Sequence, residues 1–236
     1  MVGTSVGLFL LSGIASLIWF QLTPWKMARD LSQSPSQAND IPVAPTDQSI
    51  ALLNGIRVEA DGFSMMTPWH EGARSAASPS TSVQSFKEGA YLPILKRNES
   101  PGIANIDRGE PDLVRLFGAD TLKSESALMT AAMYTTPEQV KWWKLPRQNT
   151  KVMHLILLKM DYCHQMGRIY AVNFGVMHGF QEGEPNVAPY RVLLNLFDPD
   201  DHRYEIWISG QPGKPLPLTQ AQLNAMIASI HPDQKN

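Results

Sequence analysis

Tyr190 to Ile208 reads YRVLLNLFDPDDHRYEIWI, two apolar runs of period two on either side of Asp198-Pro199-Asp200-Asp201. Side chains two apart on a strand share a face, so Tyr190, Val192, Leu194 and Leu196 align before the break, and Tyr204, Ile206 and Ile208 after it. Pro199 presets φ for a turn and the aspartates can bond nearby amides. The segment therefore predicts an antiparallel hairpin. Its opposite parity (Leu193, Phe197 and Trp207) is also apolar, so both faces of the sheet are expected to be covered.

The same period extends upstream. Val152, His154, Ile156, Leu158, Met160 and Tyr162 alternate, and so do Tyr170, Val172, Phe174, Val176, His178 and Phe180. A turn is expected at Gln165-Met166-Gly167 and a longer connection at Glu182-Gly183-Glu184-Pro185-Asn186. Four strands with short connections predict an antiparallel meander. Downstream, Thr219-x-x-Gln222 is a capping box for a helix that aligns Leu223, Met226, Ile227 and Ile230,. That helix is expected to shield the second face, because leaving such a stripe wet costs about 25 cal/mol per Å².

Before the strands the period is helical. Glu110-Pro111-Asp112 opens a helix with Leu113, Leu116 and Phe117 on one face and Gly118 as its stop,. Ser124-Glu125 opens a second, with Leu128, Met129, Ala132 and Met133 at helical spacing. Thr136-Pro137-Glu138-Gln139 begins a short third, which carries Trp142 and Trp143 and ends at Pro146,. The fold class expected is α+β, with helices packed on a four-stranded antiparallel meander and a C-terminal helix, over residues 111–236.

Residues 25–110 read differently. Ser32 to Asn39 is Ser/Gln/Pro-rich, Ser75 to Ser82 is Ser/Ala-rich, and Ile50 to Val58 offers a short apolar run that could be a helix or a strand. Such composition buries little apolar surface and predicts a flexible tether or arm with a few docking segments. Ahead of it, Val2 to Leu22 has no charged residue. About 20 helical residues cross a bilayer core of about 30 Å. Trp19 and Trp25 fall where indoles favour the membrane–water interface. No basic n-region precedes the run and no A-x-A pattern follows it, so residues 1–24 are expected to be an uncleaved transmembrane anchor rather than a signal peptide. Lys26 and Arg29 favour a cytoplasmic body by the positive-inside rule. The spacer-like tether favours an extracytoplasmic one, and the latter is the expectation: an inner-membrane, single-pass protein with a periplasmic C-terminal domain.

Composition narrows the partners. The 236 residues carry 20 basic and 22 acidic side chains, net −2, with no basic stripe, which argues against nucleic acid,. The lone Cys163 excludes an internal disulfide and reads as a small buried hydrophobe,. No recognised nucleophile-elbow, zinc-protease, P-loop or dinucleotide motif is present. His154 and His178 share the apolar parity of adjacent expected strands, but Asp161 and His164 are poorly placed to complete a zinc site, which wants three or four ligands. Asp198, Asp200, Asp201 and His202 lack the glycine and terminal glutamate of a calcium loop. Trp69-His70-Glu71-Gly72 is a weak catalytic signal. No metal, cofactor or catalytic residue is expected. Trp142, Trp143, Trp207 and Phe197 are the expected interaction residues. Together these features point to a non-enzymatic docking subunit, bound to the bilayer through its N-terminal helix and to other envelope proteins. The alternatives are a ligand-binding sensor with a pocket lined by Met160, Tyr162, Tyr170 and Phe174, and an anchored metal-dependent hydrolase.

Overall fold

The computed structural model describes residues 53–60, 63–70, 72–78, 81–87, 89–97, 111–135 and 168–232. The expected anchor, the third helix with Trp142 and Trp143, and the strand expected at Val152 to Tyr162 lie outside them. The decisive hairpin is present as β8 (Arg191–Phe197) and β9 (Arg203–Ser209). Their register sets Val192 opposite Ile208, Leu194 opposite Ile206 and Leu196 opposite Tyr204. Expected and observed faces agree here because both strands are regular and one turn fixes their register.

The strand expected at Tyr170 to Phe180 is instead a hairpin, β6 (Ile169–Phe174) and β7 (Met177–Glu182). Phe174 pairs with Met177 across Gly175-Val176. Gly175 sits at φ +61°, a left-handed backbone that favours glycine in a two-residue hairpin loop,. The reversal shifts parity by one. Val172, Phe174 and Met177 point to one face and Phe180 to the other, while Val176 is exposed at the tip.

Residues 57–97, read above as part of an arm, supply five strands: β1 (Arg57–Ala60), β2 (Phe63–Met66), β3 (Gly72–Ser78), β4 (Thr81–Phe86) and β5 (Tyr91–Arg97). β5 pairs with β9, so the meander continues into a seven-stranded antiparallel sheet of order β3-β4-β5-β9-β8-β7-β6. β1 and β2 form a second sheet with the short β10 (His231–Pro232). Short strands rich in serine and alanine carry little alternation of their own. They pair mostly as hairpins with one another, and only β5 with β9 and β2 with β10 tie them to distant parts of the chain, so composition alone misreads them,.

The helices stand as expected in sequence. α1 (Pro111–Phe117) precedes a 3-10 turn at Thr121–Lys123 and α2 (Glu125–Tyr134). α3 (Gln220–Ala228) has both hydrogen bonds of its capping box, Thr219 with Gln222. Their placement on the sheet differs from expectation. α3 packs on the Val192/Leu194/Ile206 face, together with Phe63, Met65 and Trp69 from the N-terminal strands. α1 and α2 take the second face, where Leu113, Leu128, Met129 and Ala132 meet Ile169, Phe180 and Phe197. Both faces are apolar, so parity alone could not assign a helix to either. The fold is α+β, an antiparallel sheet with helices on both faces.

Candidate functional site

A buried polar cluster lies where the β8–β9 turn meets the start of α2. Asp198 organises the turn. Its Oδ1 accepts from the amides of Asp200 (2.9 Å) and His202 (2.9 Å), and its Oδ2 accepts from the Tyr204 hydroxyl (3.0 Å) and lies 3.1 Å from His202 Nδ1. A carboxylate only accepts, so Nδ1 donates, which fixes the imidazole orientation. Burial alone would raise the Asp198 pKa. The His202 amide, the Tyr204 hydroxyl and the His202 ring outweigh it and hold the carboxyl below its usual range,.

Asp201 carries the contact to the helix. Its backbone is left-handed at φ +64°, a region aspartate tolerates better than most side chains,. Oδ2 accepts from the Glu125 amide at 2.7 Å and Oδ1 from the Ser126 amide at 3.0 Å, across 76 and 75 residues of sequence. Ser124 Oγ accepts from the Ala127 amide at 3.1 Å, and the Ser124 amide itself reaches the Thr121 carbonyl at 3.4 Å. The four amides that a helix start leaves without intrahelical partners are thus all engaged. Burial pushes Asp201 up, and the hydrogen bonds from Ser126 and Glu125 outweigh that and hold it down. A helix N-terminus favours that negative charge.

Behind the turn, Arg203 is fully buried. Its Nε and Nη2 donate to Asn195 Oδ1 (3.0 and 2.6 Å), Nη2 lies 3.5 Å from Glu205 Oε2, and Nη1 lies 3.6 Å from Glu125 Oε1. Trp207 Nε1 donates to Glu205 Oε1 at 2.6 Å. One guanidinium thus joins β8, β9 and α2.

No family model matches the chain, and no curated protein or solved structure matches it. The site must therefore be read from its own chemistry. Its carboxylates hold backbone amides and a buried guanidinium, which is the work of structural organisation.

The residues singled out in sequence are scattered. Phe197 is 1% exposed and belongs to the core under α1 and α2, so it is corrected from an interaction residue to a packing one. Trp207 is partly buried and tied to Glu205. Trp142, Trp143, His154, Met160, Asp161, Tyr162, Cys163 and His164 lie outside the described residues. His178 is on the α1–α2 side, its ring 5.9 Å from that of Phe197. His70 is exposed beside a fully buried Trp69. Tyr170 donates to Glu184, and burial, then that hydrogen bond and charge, push its pKa up to about 12. Among the described residues no group of three or more His, Cys, Asp and Glu is placed to hold a metal ion.

Arg203, Glu125, Asn195 and Glu205 were not singled out in sequence. Asn195, Arg203 and Glu205 sit on one inward parity with Phe197 and Leu193, a polar run on an apolar face, and that was the available signal. The Asp201–α2 contact left no local trace.

The two depressed carboxylates set a pH dependence. Stability linked to them is complete above the unfolded-state pKa of about 3.9 and is lost as pH falls through the lower folded values. Urea denaturation from pH 7 to pH 3 is expected to show the unfolding free energy falling below about pH 5. Asp198→Asn and Asp201→Asn proteins are expected to be less stable at pH 7 and to lose less on acidification.

Proposed function

We propose that this chain is a single-pass, inner-membrane-anchored envelope protein whose α+β body acts non-enzymatically, as a docking subunit of a membrane-spanning assembly of secretion, conjugation or pilus type. The observation that carries the proposal is the uncharged run from Val2 to Leu22, long enough for a bilayer-spanning helix and with Trp19 and Trp25 near its C-terminal end,. The chemistry of the site supports the non-enzymatic part. Asp198, Asp201, Glu125 and Arg203 are joined to backbone amides and to one another, in the manner of a scaffold. The near-neutral balance of charge argues against nucleic acid as the partner,. The spacer-like composition of residues 32–45 supports a periplasmic body,.

Fractionation of cells expressing the full chain tests both halves. The expected result is protein in the membrane pellet after a carbonate wash, released only by detergent, with a native mass well above that of one chain. A periplasmic reporter fused at the C-terminus is expected to be active. Full-length protein in the soluble fraction would overturn the anchor, and a detergent-extracted monomer without companions would overturn the docking role.

A further inference from the structure

The geometry points to the β8–β9 turn as an acid-released latch for the helical cover: protonation of Asp198 and Asp201 frees the start of α2 while the sheet beneath remains paired. The inference does not depend on the docking role. Its basis is an asymmetry in how the two layers are joined. The described polar ties between α2 and the hairpin run through carboxylates, Asp201 to the Glu125 and Ser126 amides and Glu125 to Arg203. Within the sheet, Arg203 is held by the neutral amide of Asn195, at 3.0 and 2.6 Å, as well as by Glu205 at 3.5 Å, and β8 and β9 are joined by their backbone ladder. Acid removes the Asp201 ties to the α2 amides and leaves the Asn195 bonds and the β8–β9 ladder.

Asp198 makes the release cooperative. Its carboxylate closes the turn through the amides of Asp200 and His202, and Asp201 is presented to the helix from the left-handed position that this turn creates. The ionisable groups around the pair are Glu125 at the start of α2, Asp200 and His202 in the turn, Arg203, Tyr204 and Glu205 on β9, and His178 on β7. Lys123 of the 3-10 turn is engaged with Asp120 at 2.8 Å. The sheet has an independent anchor on its other face, where α3 and the N-terminal strands pack. Lifting α1 and α2 would uncover Phe180 and Phe197.

Hydrogen exchange of the full chain in detergent, corrected for the intrinsic pH dependence of exchange, separates the layers. Between pH 6 and pH 2.5, peptides covering residues 121–135 are expected to lose protection by about tenfold or more, while those covering 191–209 keep theirs. An Asp201→Ala protein is expected to show the same loss in 121–135 already at pH 6. Simultaneous loss in both segments of the wild-type protein would overturn the latch, as would wild-type protection of 121–135 in Asp201→Ala at pH 6. The wild-type pH series decides the matter even if the variant does not fold.

Discussion

Replacing Arg203 by alanine is expected to destabilise the folded body by about 3–5 kcal/mol, the cost of removing one partner from a buried ion cluster. The guanidinium is fully buried, and its removal leaves Glu125 and Glu205, both under 6% exposed, without their shared cation. Asn195 Oδ1 loses two donors at once. Most of the cost is the stranded negative charge rather than the attraction itself. That distinction is testable. A triple variant, Arg203→Met with Glu125→Gln and Glu205→Gln, removes every charge of the cluster and keeps an acceptor for Trp207 Nε1. It is expected to recover more than half of the loss. Arg203→Lys is expected to fall between, because a compact ammonium cannot reach Asn195, Glu205 and Glu125 together. Urea denaturation at pH 7 measures all three. A loss below about 1 kcal/mol for Arg203→Ala, the scale of a surface pair, would show that water reaches the cluster.

These contacts also explain which parts of the molecule could be read in the sequence. Local devices were legible. The Thr219–Gln222 capping box, the Ser124 cap, the Gly118 stop and the Asp198 turn each act within a few residues, and each stands where its signal lies. Non-local devices were not. Asp201 caps a helix that begins 76 residues earlier, and no spacing rule connects the two. The β6–β7 reversal did leave a signal, Gly175 followed by one residue within an alternating run. It was masked because Val176, His178 and Phe180 continue the alternation in phase with Val172 and Phe174. The assignment of helices to faces failed for a third reason. Val192, Leu194 and Ile206 on one side and Leu193 and Phe197 on the other are equally apolar, so the polar run through Asn195, Arg203 and Glu205 was the better guide. It marks the face that α2 covers, since Glu125 supplies the counter-charge.

Trp69→Ala is expected to cost about 3–5 kcal/mol, the range for removing a large aromatic from a core. It would also show whether residues 53–97 belong to the same cooperative unit as the meander. The indole is 1% exposed, its ring centroid is 4.6 Å from that of Phe86, and Nε1 donates to the Pro217 carbonyl at 3.1 Å. One side chain therefore links the loop after β2, the end of β4 and the segment leading into α3. The backbone around it is equally constrained. The Ile56 amide donates to the Trp69 carbonyl at 2.7 Å, and a Cβ at Gly55 would lie 2.1 Å from that same oxygen, so only glycine admits the approach. An appended arm would lose its own structure and leave the β8–β9 hairpin as stable as before. A shared core predicts a single transition, displaced as a whole, with protection falling equally in residues 57–66 and 191–209. Trp69→Phe keeps a ring against Phe86 and removes only the bond to Pro217 and part of the volume, so a loss of about 1–2 kcal/mol is expected. Two separated transitions in Trp69→Ala would return the N-terminal strands to the status of an arm. One transition would make them part of the body through which any docking load passes.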